Sequence, residues 1–285
     1  LQSDSPAAVF RAIEALSETD HSNPLAALLA DNTAHPLVRS EAAKALGEQR
    51  RTDLLLAHAD DGHARVRRAV ILALGRGTDG TAMTVLERAF IGDRNPDVRA
   101  AALDSIESLA KTRSVTLARS AVRSSNAAIA NTGARVLGKH GELADIDSLR
   151  SMRMRRSTRM GGMRAAAKIV RRLHDQSGSD RAAEQLTGTL VGLLSDLDIR
   201  ARQAAVRLLD EVGTNSAIAD LEAFRREETV ASLARSAREA IDSIRARQGK
   251  IEPIAGENKA EAALQSLEER IDELESQFGE WKDSH

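Results

Sequence analysis

One motif returns seven times along this chain: a small aliphatic residue, an arginine, a run of alanines, and a Leu or Ile about eight residues after the start. The sharpest copies are Val38-Arg39 to Leu46-Gly47, Val66-Arg67 to Leu74-Gly75 and Val98-Arg99 to Ile106. A looser copy runs from Ile129 to Leu137-Gly138, a degenerate one is Met163-Arg164-Ala165-Ala166-Ala167, and the last two begin at Ala201-Arg202 and Leu233-Ala234. Successive starts lie 28 to 38 residues apart, and a period of about 20 to 50 residues marks a stacked repeat. Such a chain has no single core and grows one layer at a time, so its length does not count its domains.

Within each copy the apolar positions recur three and four residues apart, with Ala where neighbouring layers approach closely, and no run alternates with period two. The expected fold is all-α, a right-handed α-solenoid of about seven helix pairs. Each pair has an outer helix, a turn and an inner helix carrying the Arg-Ala motif. The turns Asp31 to Pro36, Asp60-Asp61-Gly62 and Asp93 to Asp97 combine helix stops with N-caps, and Pro36 and Pro96 stand where an inner helix begins. Gly47, Gly75 and Gly138 fall at inner-helix ends, where a left-handed cap is expected. Ser5 to Leu16 reads as an inner helix without its outer partner. Together with a first residue that is Leu and not Met, this suggests a piece of something longer.

Composition removes several function classes. The formal net charge is -1, so no global field favours nucleic acid or a membrane surface. The chain has no cysteine, which excludes disulfides and thiolate chemistry. No apolar stretch approaches the length of a membrane span, and the N-terminus lacks the design of a signal peptide. A cytoplasmic protein without a cofactor is expected.

Arg39, Arg67, Arg99 and Arg202 each begin an inner helix shortly after a turn acid: Asp31, Asp60 or Asp61, Asp93 or Asp97, and Asp196 or Asp198. A guanidinium there can bridge the acid of its own or the adjacent layer in a planar, bidentate way, so the four read as a structural ladder. His58 and His63 flank Asp60 and Asp61, but their spacing matches no usual zinc pattern and the acids are wanted in the turn. No metalloprotease, nucleophile-elbow, phosphate-loop or dinucleotide motif occurs, and neither a catalytic nor a metal-binding residue is assigned.

The strongest local anomaly is the span from Arg150 to Arg172, which carries nine cations and no acid, with four of the five methionines interleaved. It reads either as long cationic stems covering a degenerate repeat or as a surface for a partner. Arg153, Arg155, Arg156, Arg159, Arg164 and Lys168 are the candidate partner-binding residues. An acidic protein face suits them better than nucleic acid, because stacking aromatics are missing from the segment.

After Arg247 the pattern changes. Gly249, Pro253 and Gly256 interrupt it, and Leu264, Leu267, Ile271, Leu274 and Phe278 then form an a/d seam. The division expected is a solenoid over 1–248, a linker over 249–257 and an amphipathic helix over 258–285. Residues 258–278 dock on the solenoid, pair with a second copy or fray.

Val38-Arg39-Ser40-Glu41-Ala42-Ala43-Lys44-Ala45-Leu46-Gly47 and Val66-Arg67-Arg68-Ala69-Val70-Ile71-Leu72-Ala73-Leu74-Gly75 resemble HEAT repeats of the bacterial and archaeal type, over roughly residues 5 to 247. More narrowly, those two copies, the divergent middle, Leu233 to Arg245 and the Leu/Glu-rich tail resemble the C-terminal repeat region of aminopeptidase-N-like zinc metallopeptidases. The first resemblance implies a non-catalytic protein-interaction or structural scaffold. The second implies the repeat region of a zinc aminopeptidase, which walls the substrate chamber and carries neither the zinc ligands nor the general base.

Overall fold

The protein is described by a computed structural model covering residues 6–19, 21–77 and 80–248. Every regular element among the described residues is helical. The first, α1 (Pro6–Ser17), packs on the inner helix of the first complete pair. Seven pairs follow, each an outer helix and then an inner one. They are α2 (Ser22–Ala30) with α3 (Pro36–Glu48), α4 (Thr52–Leu56) with α5 (Ala64–Leu74), α6 (Thr81–Gly92) with α7 (Pro96–Leu109), and α8 (Lys111–Ala121) with α9 (Ala127–His140). Then come α10 (Ile146–Ser151) with α11 (Arg159–Arg172), α12 (Ser179–Val191) with α13 (Ile199–Val212), and α14 (Ile218–Glu227) with α15 (Ala231–Gln248). Each inner helix packs on the next, from α1 through α15, and each outer helix on its own inner one. The result is an α-solenoid with one continuous apolar spine.

The starts of the inner helices follow from local chemistry. Asn95 Oδ1 accepts the backbone N–H of Asp97 at 2.8 Å, and Asn126 Oδ1 that of Ala128 at 2.9 Å. Asp198 Oδ1 accepts from Arg200 at 3.0 Å. His35 and His63 do the same with Nδ1, each at 3.2 Å to the N–H two residues on. Every cap satisfies a donor that the first helical turn leaves without a partner. Pro36 and Pro96 occupy the first helical position, where no N–H is needed.

The expected left-handed caps at Gly47, Gly75 and Gly138 are not found. Gly47 and Gly138 lie inside their helices and Gly75 is right-handed at φ -68°. Their smallness serves interlayer contact: a Cβ on Gly47 would stand 2.6 Å from Ala73 Cβ, and one on Gly75 2.6 Å from Ser105 Cβ. A Cβ on Gly138 would come within 3.0 Å of Ala165 Cα. The left-handed turn after α3 falls instead to Arg50, at φ 54°. The linker over 249–257, the helix over 258–285 and self-association through 258–278 lie outside the described residues.

Candidate functional site

The ladder arginines reach forward, into the next layer. Arg39 Nη2 meets Asp61 Oδ2 at 2.5 Å while its Nε donates to the Leu29 carbonyl at 2.9 Å. Arg67 binds Asp93 through two bonds, Nε to Oδ2 at 2.8 Å and Nη2 to Oδ1 at 2.9 Å, and its Nη1 donates to the Asp61 carbonyl. Arg202 Nε meets Glu228 Oε2 at 3.0 Å. In each case the acid sits three residues before the first residue of the next inner helix, where it also accepts a backbone N–H from the turn. Asp61 and Asp93 are thus turn formers and interlayer bridges at once. Burial works against ionised Asp93, but Arg67 and the Asn95 N–H outweigh it and hold the carboxyl below its ordinary value.

Arg99 departs from this pattern. Its Nε donates to the Phe90 carbonyl at 2.8 Å, and no carboxylate among the described residues pairs with it. The position equivalent to Asp61 and Asp93 is Ser124, whose Oγ accepts the Asn126 N–H at 3.2 Å. The turn geometry is kept and the acid is lost. The ladder expectation is therefore corrected at Arg99: a hydroxyl has no charge to offer a guanidinium.

The basic segment does not form one patch. Arg159 pairs with Asp196 and is mostly buried, so it fills in this layer the place that Arg39 fills against Asp61. Arg155 donates to the carbonyls of Ser124 and Val122 and ties the α8–α9 turn to its own. Both are commitments within the fold that a partner would have to break. Arg156 is exposed and reaches Asp198 at 3.2 Å. Arg153, Arg164 and Lys168 are exposed, with no ion pair among the described residues. Arg153 stands beside the α12 helix, whereas Arg164 and Lys168 rise from the body of α11.

A groove missed in the sequence runs across α3, α5 and α7 and on to Thr132 of α9, with a cavity volume of about 760 Å³. Glu41, Lys44, Arg65, Arg68, Leu72, Asp97 and Asp104 line it. Lys44 reaches Glu41 at 3.4 Å and Asp104 meets Arg135 at 2.5 Å, while exposed Arg65 and Arg68 have no ion pair among the described residues. The sequence signal was the column of side chains five residues beyond each ladder arginine, Lys44, Leu72 and Asp104. Nearby, Glu107 is surrounded by Arg135 at 2.6 Å, His140 at 3.0 Å and Lys139 at 3.2 Å. Burial resists its charge, but these three donors hold its carboxyl below the ordinary value.

Both acids of 58–63 and His63 are occupied within the fold. Asp61 bridges to Arg39, Asp60 meets Arg88 at 2.6 Å, and His63 caps α5. Burial, then the neighbouring Arg39, push the His58 pKa down.

Comparison with known proteins agrees with this architecture. The family model described as HEAT repeats matches residues 22–107, which hold α2 through most of α7. No curated protein sequence matches the chain. Among solved structures, an engineered protein is similar with a TM-score of 0.50 at 17% identity, over 83% of this chain and 71% of that one. YIBA_ECOLI aligns with a TM-score of 0.47 at 15% identity, over 85% of this chain and 99% of its own. The complex of CpcE and CpcF of phycocyanin lyase from Nostoc sp. PCC7120 aligns with a TM-score of 0.44 at 17% identity, over 86% and 97%. The fold is a HEAT-repeat helical solenoid, a scaffold compatible with protein interaction.

Proposed function

We propose that this chain is a non-catalytic protein-binding module whose inner-helix face holds a polypeptide. The observation that carries the reading is the groove of about 760 Å³ across three successive inner helices, with Leu72 at its floor and Arg65 and Arg68 unpaired at its walls. A solenoid offers an extended surface of this kind because each layer repeats the last with a small rotation. Arg164 and Lys168 extend the exposed cations onto α11, so a segment bearing carboxylates fits the face better than a neutral one. Nothing in the structure or the matches favours the alternative role as the repeat region of a zinc aminopeptidase.

The test is capture of partners on the immobilised chain, with Leu72→Arg plus Arg68→Glu in the groove set beside Arg88→Glu on outer helix α6. Partners that bind the groove are lost with the first variant, kept with the second and weakened by salt. Equal capture by both variants removes the groove from consideration.

A further inference from the structure

Three of the four exposed large apolar side chains among the described residues gather at one edge of the stack: Met154, 77% exposed, Leu197, 99% exposed, and Ile199. The fourth, Ile91, lies on another layer. Two adjoining cavities, of about 650 and 570 Å³, share Arg159, Gly192 and Asp196 as walls. Met154 lines the first and Leu197 the second. Exposed Arg153 lines the first and exposed Arg156 the second, and exposed Arg200 follows Ile199 in α13; Glu184 also lines the first, where it accepts the Thr214 hydroxyl. Asp196 and Asp198 also face the edge, but Asp196 is taken by Arg159, and Asp198 caps α13 and meets Arg156. The edge thus carries exposed apolar side chains on either side of the Arg159–Asp196 pair, with exposed arginines beside them, features that suit an acidic amphipathic segment.

We infer that the occupant is the chain's own segment 258–281, seated with its apolar seam on Met154, Leu197 and Ile199. Three observations on this chain support that choice. Leu264, Leu267, Ile271, Leu274 and Phe278 are spaced by three and four residues, and Trp281 continues the seam. Residues 249–285 carry ten acids against four bases, which complements the arginines at this edge. The reach is also sufficient. Arg247 donates to the carbonyls of Leu209 and Gly213, so the last described residues lie beside the C-terminal end of α13. Leu197 and Ile199 stand at the other end of that helix, ~20 Å away at 1.5 Å per residue. The residues between Gln248 and Leu264 span up to ~50 Å when extended.

The end of the stack is a poorer seat. The outward side of α15 already presents exposed Arg235, Arg238, Glu239, Asp242 and Arg245, the polar cover that a terminal layer needs. An apolar seam placed there would gain little burial.

The sole tryptophan of the chain is Trp281 and tyrosine is absent, so intrinsic fluorescence reports on this segment alone. Acrylamide quenching of the full-length chain is compared with that of Met154→Glu plus Leu197→Glu, two positions exposed enough for the fold to tolerate the change. Docking predicts a blue-shifted, protected Trp281 in the original chain. The variant's quenching constant then rises by about threefold, as when a mostly docked population becomes mostly free, with the helical circular dichroism unchanged. A second variant, Leu267→Asp plus Ile271→Asp, alters the segment and leaves the solenoid untouched, and gives the same rise. Equal quenching in all three chains overturns the inference. So does quenching that rises on dilution while sedimentation shows a dimer, because the segment is then held by a second copy.

Discussion

Replacing Arg67 by Met removes a charge and nearly keeps a shape, and the structure sets the size of the loss. Arg67 and Asp93 are 5% and 9% exposed at their side chains and share two bonds of 2.8 and 2.9 Å. Breaking a buried pair from one side costs about 3–5 kcal/mol, because the partner stays buried with its charge uncompensated. Asp93 would keep one backbone donor, the Asn95 N–H at 2.8 Å, which places the expectation near the lower end, about 3 kcal/mol. For a chain of this size a loss of 1 kcal/mol lowers Tm by roughly 2–4 °C, so Tm should fall by about 10 °C.

Arg99→Met is the internal control. Arg99 occupies the same helical position, donates to one carbonyl and has no carboxylate partner among the described residues. Its removal sacrifices one charged hydrogen bond and relieves an unpaired, half-buried cation, so the cost should be at most about 1.5 kcal/mol. Urea unfolding followed by far-ultraviolet circular dichroism measures both. A repeat array can lose cooperativity, so amide exchange in α5 and α7 accompanies it. If Arg99→Met costs as much as Arg67→Met, the interlayer carboxylates are not what makes these arginines matter.

The other expectations follow from equally local features. Gly75→Ala puts a methyl 2.6 Å from Ser105 Cβ and 2.8 Å from its Cα, which should cost about 1–3 kcal/mol by overpacking. Gly62→Ala meets nothing within 4 Å and should leave the melting temperature unchanged. Asp93 and Glu107 have folded-state pKa values below their ordinary 3.8 and 4.5. Their contribution is complete above those values and is lost as pH falls through the lower folded ones, so an acid titration of Arg67→Met and Arg135→Met should lose stability less steeply there than the original chain. For His58 the depressed pKa disfavours the charged form, so stability held above pH 6.5 should decline as pH falls below it, and His58→Gln should flatten that decline.

The helical layers were legible because their causes are local. A period near thirty residues, apolar positions three and four apart and caps before each run each name the same element. The glycines were misread for a reason of range. A glycine after an apolar run looks like a C-cap when only its own helix is considered, yet Gly47 and Gly75 are small because Ala73 and Ser105 press on them from the next layer. The groove was hidden by the same limit, since it belongs to three helices and to none of them singly.

The fifth layer shows how a register error turned a structural residue into a site candidate. Starting that repeat at Met163-Arg164 puts Arg164 in line with Arg39 and leaves Arg159 on the surface. The contact of Gly138 with Ala165 shows otherwise: Gly47 touches Ala73 and Gly75 touches Ser105 in the same way, so Ala165 is the counterpart of those two residues. Counting back six residues from Ala73, Ser105 and Ala165 reaches Arg67, Arg99 and Arg159. Buried Met163 and Ala166 then fall four and seven residues beyond the arginine, as Ile71 and Leu74 do after Arg67. The pairing of Arg159 with Asp196 follows from that register. Replacing Arg159 by Gln should therefore destabilise the fold as a ladder substitution does, whereas Arg164→Gln should change melting by no more than an ordinary surface replacement, within about 0.5 kcal/mol. Equal, small effects at both positions would return Arg159 to the surface and undo the register.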